Sequence, residues 1–470
     1  AYIFKGRSGH SAPVIGGSLY LWGGSYPRLA GVHDSHQKRT LTSELTSTVE
    51  TFSFSSARWS SHLTRGTPPL GSSGYSCTTF RSNIYYYAGV CHIGHEPCYC
   101  NSLNVLNTLT MSWTQLHPND ESMMKKAGAG MLSLELDGTD YLFMVGGVGP
   151  TPAVKHPQFQ YDQLKDGYVR TNEQLLYNLS NGQFTVPFVS GQCCPPTIFF
   201  TIEKINQNKG TMFGGVVTHE GFPIPTDSVY TFNVTHKTIH WENVKKGSIS
   251  GKGLWPKERC DHAGAIITHV SSSPALFVIG GWEYDSTKLV NDCLLLDYIT
   301  TGQYSCKKIT LPESVTGRYS HSLTAVTMSP HCVWLVIIGG YKGTEFVDIA
   351  GGLQKVLRPT FISDSDRLMI VELVYSDAGE WIVQSVLDAN DLTSKKYQEK
   401  YSSYSKTRTW WMDQLMEYPT EKEMQLQRYI QLLQEKLHVF YQDKVSLQEA
   451  LIEANKKGLL ACIISTFILI

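Results

Sequence analysis

The densest set of side chains able to do chemistry lies between residues 91 and 100. Cys91, His92, His95, Cys98 and Cys100 put five soft ligands into ten residues. Cysteine and histidine at this density can hold zinc tetrahedrally. The paired C-x2-C…C-x2-C spacing is missing, so the segment reads either as a zinc site or as a loop stitched by a cysteine pair. A second candidate is an arginine followed three residues later by histidine. It occurs as Arg7–His10, Arg259–His262 and Arg318–His321. Guanidinium groups at equivalent places could ring a channel and grip a carboxylate with two parallel hydrogen bonds. The competing role is a contact that braces each repeat. No glycine-rich phosphate loop, G-x-S-x-G or H-E-x-x-H motif occurs, so binding is expected rather than catalysis.

The elements that must position these residues are repeats. A short apolar run ending in glycines recurs as LYLWGG (Leu19–Gly24), YYYAGV (Tyr85–Val90), LFMVGG (Leu142–Gly147), GTMFGG (Gly210–Gly215), LFVIGG (Leu276–Gly281) and LVIIGG (Leu335–Gly340). Taking 23, 89, 146, 214, 280 and 339 as first glycines, the second unit has Val90 in place of its second glycine. Where Arg-x-x-His is missing upstream, the units carry GYS, GAG or PPT. Downstream come another apolar strand, a tight turn and an aromatic: Trp59, Trp113, Phe184, Trp241, Tyr304 and Trp381.

Each unit therefore reads as a four-stranded antiparallel blade. The His-containing segment is the first strand, the run into Gly-Gly the innermost apolar strand, and the aromatic opens the fourth. Glycine allows close backbone approach, and the aromatic fills the wedge between neighbouring blades. One blade cannot bury both its faces, so the units must pack together radially.

Over residues ~1–387 these features resemble the Kelch-repeat family. The resemblance implies an all-β, six-bladed Kelch β-propeller followed here by a small C-terminal α-helical segment. It also implies a protein-interaction scaffold that binds a peptide or protein segment on its loop-rich face. Kelch proteins often serve as substrate receptors of cullin-type ubiquitin ligases. Ser446-Leu447-x-x-x-Leu451 loosely resembles an elongin-binding helix, with Leu451 where cysteine and Asn455 where an apolar residue is expected. Some Kelch-like propellers are copper oxidases, but no set of two histidines, two tyrosines and a cross-linked cysteine can be matched. The alternatives are a cytoskeletal or self-associating scaffold and, last, a metal-dependent oxidase-type enzyme.

Segments following Gly-Gly are long at Ser25–Thr48, Val148–Arg170 and Tyr341–Asp366. Long loops of this kind are commonly functional, and aromatics with arginine suit binding hot spots. The candidate ligand-binding residues are Arg7, Arg259 and Arg318, with Tyr319 beside the last. Tyr26 and Arg28 lie in the first loop, and Trp282 and Tyr341 directly follow glycine doublets. The expected ligand is an acidic side chain or a free carboxylate.

The chain has 470 residues, 41% hydrophobic and 17% charged, with net charge −1. This balance supplies no basic field for a dedicated nucleic-acid binder. No apolar stretch of 18 residues exists, so no complete membrane span is expected. Eleven cysteines, an odd number scattered along the chain, fit reduced, cytoplasmic usage. The sequons at Asn178 and Asn233 read as chance tripeptides. Residues 388–418 read as a polar, tyrosine-rich linker or an ill-defined helix. Residues 419–470 read as a helical hairpin, from capping boxes at Thr420–Glu423 and Ser446–Glu449, available to a partner or to self-association. The apolar tail Leu459–Ile470 is too short to span a bilayer and suggests truncation. No cofactor other than zinc is expected.

Overall fold

The structure, a computed structural model, describes residues 6–27, 43–45, 47–93, 96–117, 122–245, 255–267, 274–283, 289–290, 292–298, 304–315, 317–349, 354–362, 367–415, 429, 433, 436, 439–440 and 442–458. It forms two compact units, residues 1–409 and 410–470.

In the first unit the described residues build six antiparallel meander sheets in chain order. The first comprises Val14–Ile15, Ser18–Leu21, Val49–Ser53 and Arg58–His62. The second comprises Ser76–Phe80, Asn83–Tyr87, Leu103–Asn107 and Ser112–His117. The third comprises Gly130–Leu136, Thr139–Val145, Gln174–Asn178 and Gln183–Thr185. The fourth comprises Thr201–Lys204, Lys209–Phe213, Val229–Val234 and Thr238–Val244. The fifth comprises Ala263–Ile267, Ala275–Ile279, Cys293–Tyr298 and Tyr304–Ile309. The sixth comprises Ser322–Ser329, Cys332–Ile338, Leu368–Tyr375 and Trp381–Leu387. A short parallel strand extends the outer edge of the second sheet at Arg65–Gly66 and of the fourth at Phe188–Gly191.

The apolar run before each glycine doublet is the second strand of its sheet. Ala275–Ile279 and Cys332–Ile338 are buried at every position, as a strand covered on both faces requires. It is not the innermost strand, as expected from sequence: the first strand lies innermost, along a central cavity. Arg-x-x-His precedes that first strand instead of forming part of it. Five of the aromatics stand first or second in the fourth strands, whereas Trp241 sits midway along Thr238–Val244, and some bridge sheets. Trp241 of the fourth sheet donates its indole N–H to Gln174 of the third at 2.9 Å, and Trp113 of the second packs 5.3 Å from Trp22 of the first.

Several post-glycine segments are β-ribbons rather than irregular loops. They pair Ser25–Pro27 with Ser43–Leu45, Val90–Ile93 with Glu96–Tyr99, Val216–His219 with Phe222–Pro225, and Tyr341–Ile349 with Gln354–Phe361. Val148–Gly149, Tyr161–Gln163 and Val169–Thr171 form a three-stranded version.

The segment expected as a linker is a 3₁₀ turn, Asp391–Thr393, followed by helix α1, Lys395–Leu415. Ser394 caps α1 by accepting from the Tyr397 N–H at 3.2 Å, an orphan donor of the first turn. Tyr397 is fully buried and donates to the Phe54 carbonyl of the first sheet at 2.8 Å. One turn on, Lys400 Nζ lies 2.6 Å from Glu372 Oε1 of the sixth sheet. Helix α1 thus bridges the first and last sheets, whose apolar faces share one core cluster with Leu392 and Tyr397.

In the second unit residues 442–458 are helical, so Ser446 lies within a helix and does not start one. The capping box at Thr420–Glu423 and the apolar tail Leu459–Ile470 fall outside the described residues. Among the described residues no helix is long and apolar enough to cross a membrane.

Candidate functional site

Two circles of backbone hydrogen bonds run through the six sheets. In the first, one residue per unit adopts the left-handed conformation: Gly9, Gly74, Gly128, Phe199, Asp261 and Ser320, with φ between 54° and 67°. Each donates its N–H to the carbonyl of the preceding member. Gly74 donates to Gly9 (2.9 Å), Gly128 to Gly74 (2.8 Å), Phe199 to Gly128 (3.4 Å), Asp261 to Phe199 (3.1 Å) and Ser320 to Asp261 (2.9 Å). Gly9 then donates to Ser320 (3.1 Å) and completes the circle. Left-handed backbone strains most side chains, so Phe199 stands there at a cost that its surroundings must meet.

In the second circle the last glycine of each doublet donates to the next sheet. Gly24 donates to Ser72, Gly89 to Lys126, Gly147 to Thr197, Gly215 to Arg259, Gly281 to Arg318 and Gly340 to Arg7, at 2.8–3.2 Å. This corrects the register read from sequence for the second unit. Gly89 occupies the second-glycine place, and Ala88, with φ 63°, stands where other units have their first glycine.

The circles explain the Arg-x-x-His signal. Arg7, Arg259 and Arg318 are at most 2% exposed. Each donates through Nη1 to the first-glycine carbonyl of its own unit: Gly23 at 2.9 Å, Gly280 at 3.1 Å and Gly339 at 3.2 Å. Arg7 is also paired with Glu50, and Arg259 lies 2.9 Å from Asp292. Lys126 holds the same place in the third unit, 3.5 Å from Glu173. The expected ring of guanidinium groups open to a ligand carboxylate is therefore not what the structure has: the arginines stand behind the wall, spent on carbonyls and their own acids. The histidines pack across to the preceding sheet. A Cβ on Gly214 would stand 2.6 Å from His262 Cε1, and one on Gly280 would stand 2.8 Å from His321 Cε1. Burial, reinforced by the neighbouring arginines, holds all three histidines below the usual imidazole range, His321 at about 3.

Inside the circles lies a cavity of about 760 Å³ lined by the first strands of the second to sixth sheets and by residues 8–13, which lead into the first. Val90, Tyr99, Val148 and Tyr341 from the post-glycine ribbons also line it. Tyr341 packs on Tyr319 with ring centroids 5.2 Å apart, and Tyr99 packs on Tyr168 at the same distance. Trp282 pairs with Cys260 through the backbone. Burial raises the Asp261 carboxyl to about 6, opposed by the polar side chains of Ser320 and Trp282. Burial raises the Glu203 carboxyl to about 8, opposed by Lys204. Sequence reasoning missed both acids. A signal existed for Asp261, since aspartate tolerates the left-handed position; Glu203 is an ordinary strand residue in TIEK.

The Tyr26 side chain and Arg28 lie outside the described residues, as do the His92 side chain and His95. The ribbon register sets Cys91 opposite Cys98, and the Cys91 and Cys100 sulfurs are 3.7 Å apart. Burial, with Cys100 and Cys98 alongside, pushes the Cys91 thiol up to about 12. The ten described cysteines are free. Among the described residues no three His, Cys, Asp or Glu side chains are arranged to hold a metal.

No family model matches the chain. It is 30% identical over 118 residues to Kelch domain-containing protein 3 of Bos taurus, covering 24% of this chain and 27% of that protein. It is 27% identical over 108 residues to the protein of the same name from Rattus norvegicus, covering 23% and 24%. The match thus spans about a quarter of the curated relatives' length. The solved structure of YjhT aligns with a TM-score of 0.49 and 14% identity, over 82% of this chain and 99% of that one. The recurring glycine turns and aromatics of the six sheets, with a buried cation beside the turn in the first, third, fifth and sixth, accompany this similarity to relatives named for the Kelch domain.

Proposed function

We propose that the six sheets are the blades of a closed β-propeller that captures a peptide or protein segment at the ribbon-bearing end of its channel. The observation that carries this reading is the cavity of about 760 Å³ to which five sheets contribute their first strands and the first unit contributes residues 8–13, with Tyr99 and Tyr341 in its wall. The two hydrogen-bond circles support closure, because each returns from the sixth sheet to the first. A concave site of this size with aromatic walls and a few fixed polar groups suits a side chain or short segment. The test is binding of a pool of blocked synthetic hexapeptides, read by fluorescence anisotropy. Tyr99→Ala combined with Tyr341→Ala should weaken the bound members roughly tenfold or more, as loss of aromatic anchors does. Unchanged affinity in the double variant would refute the site.

A second reading concerns the tail. Leu447 and Leu451 are 71% and 62% exposed on the helical residues 442–458, an apolar surface suited to a helix partner. Self-association through residues ~420–460 predicts a dimer mass by light scattering, lost when the chain ends near residue 415. A ubiquitin-ligase receptor role predicts co-purification with elongin or a cullin; a clean monomer without either refutes both.

A further inference from the structure

Resting on the capture reading above, we propose that the channel selects segments carrying a lysine or arginine, with Asp261 and Glu203 as its counter-charges. Among the residues lining the cavity these two carry the carboxyl groups, and neither lysine nor arginine is present. The cations conspicuous in the sequence stand behind the wall. Arg7, Lys126 and Arg259 face their own carboxylates Glu50, Glu173 and Asp292. His10, His262 and His321 also line the cavity and are held neutral by burial. The structure therefore reverses the sign of ligand expected from the arginine spacing.

The two acids are set differently. Asp261 belongs to the inner hydrogen-bond circle, and the groups that favour its ionised form, the Ser320 and Trp282 side chains, are neutral and leave its charge uncompensated. Glu203 lies on the strand Thr201–Lys204, four residues beyond Phe199, the circle's member in its own unit, so it stands farther along the cavity wall than the circle. Its surroundings give it burial and Lys204 alone, with no hydrogen bond. Both carboxyls are half-buried in the cavity wall, and Asp261 has no cation beside it, so a guest ammonium or guanidinium supplies the counter-charge that the wall itself lacks. Binding it should draw the proton from Glu203.

The experiment uses the full chain and a positional-scanning pool of blocked hexapeptides, followed by matched peptides with lysine or norleucine at the selected position. Lysine and arginine should dominate one position. Asp261→Asn, which keeps a residue tolerant of left-handed backbone, and Glu203→Gln should each reduce the lysine-to-norleucine affinity ratio at least severalfold. A bound pool without lysine or arginine enrichment, or a ratio unchanged in both variants, overturns the charge assignment while leaving capture standing. If nothing in the pool binds, or binding ignores Tyr99→Ala and Tyr341→Ala, the capture reading fails and this inference with it.

Discussion

Arg259 Nη1 lies 2.9 Å from Asp292 Oδ1, with the arginine wholly buried, and the same nitrogen donates to the Gly280 carbonyl at 3.1 Å. One side chain thus ties the strand entry, the glycine turn and the start of the third strand of a single sheet. Removing Asp292 strands the buried guanidinium, at a cost of about 3–5 kcal/mol, whereas Asp292 keeps Lys308 at 3.3 Å when Arg259 is removed. In denaturant titration Asp292→Asn should lower stability by that order, and Arg259→Ala should also lower it, through loss of the bond to Gly280 and of the buried side chain's packing. Arg259→Lys keeps the charge but loses the fork and should fall between wild type and alanine. Unchanged midpoints would show that the guanidinium is not a brace.

Glycine at the doublet is demanded by the neighbouring sheet. A Cβ on Gly339, at φ 61°, would stand 2.0 Å from the Arg7 carbonyl oxygen. Gly339→Ala should therefore destabilise by more than about 2 kcal/mol. Ala88 occupies the equivalent place in the second unit at φ 63°. Relief of left-handed strain, about 1–2 kcal/mol, outweighs the added chain entropy, so Ala88→Gly should stabilise by roughly 0.5 kcal/mol. Thermal unfolding of the two variants should move in opposite directions.

Much of this was legible in the sequence, because glycines, wedge aromatics and Arg-x-x-His recur with the repeat. What the sequence hid was which atoms those residues address. Arg318 reads the same whether it faces a ligand or donates to Gly339, since both uses need a forked cation at one place per repeat. Lys126 lacked the signature because its unit replaces histidine with Ala129. Asp261 and Glu203 could not be singled out, because an acid's value here depends on facing a cavity that only the assembled sheets create. Helix α1 read as a linker because its buried face is made of tyrosines, Tyr397, Tyr401 and Tyr404, which score as polar.

Helix α1 should act as a clasp. Tyr397→Phe removes one hydrogen bond to Phe54 and should cost about 1 kcal/mol. Tyr397→Ala also empties the space between the first and sixth sheets and should cost about 3–5 kcal/mol. Lys400→Met leaves the fully buried Glu372 without its cation, and about 3 kcal/mol should be lost. Chemical denaturation of the three variants checks the ranking.

Acid should weaken the fold through the histidines. Their folded pKa values lie below the unfolded value of about 6.5, so the unfolded chain binds more protons and stability falls as pH drops. The loss should begin near pH 6.5 and continue toward about 3, the value for His321. Asp261 and Glu203, raised to about 6 and about 8, act oppositely: their contribution falls as pH rises through those values. Stability should therefore peak near pH 6–7. Replacing His321 with Gln should flatten the acid limb by about one proton's worth of slope, measured as unfolding free energy against pH.

The central claim is that six sheets close into a ring around the channel, and its most direct test is hydrogen exchange at the amides of the inner circle. Gly9 is decisive, because its N–H reaches the Ser320 carbonyl at the other end of the unit's sequence. The account predicts that the Gly9 amide exchanges as slowly as those of Gly74, Gly128, Phe199, Asp261 and Ser320, and that Tyr397→Ala speeds Gly9 and Ser320 most. A Gly9 amide exchanging at the rate of an open loop while the other five stay protected would contradict closure.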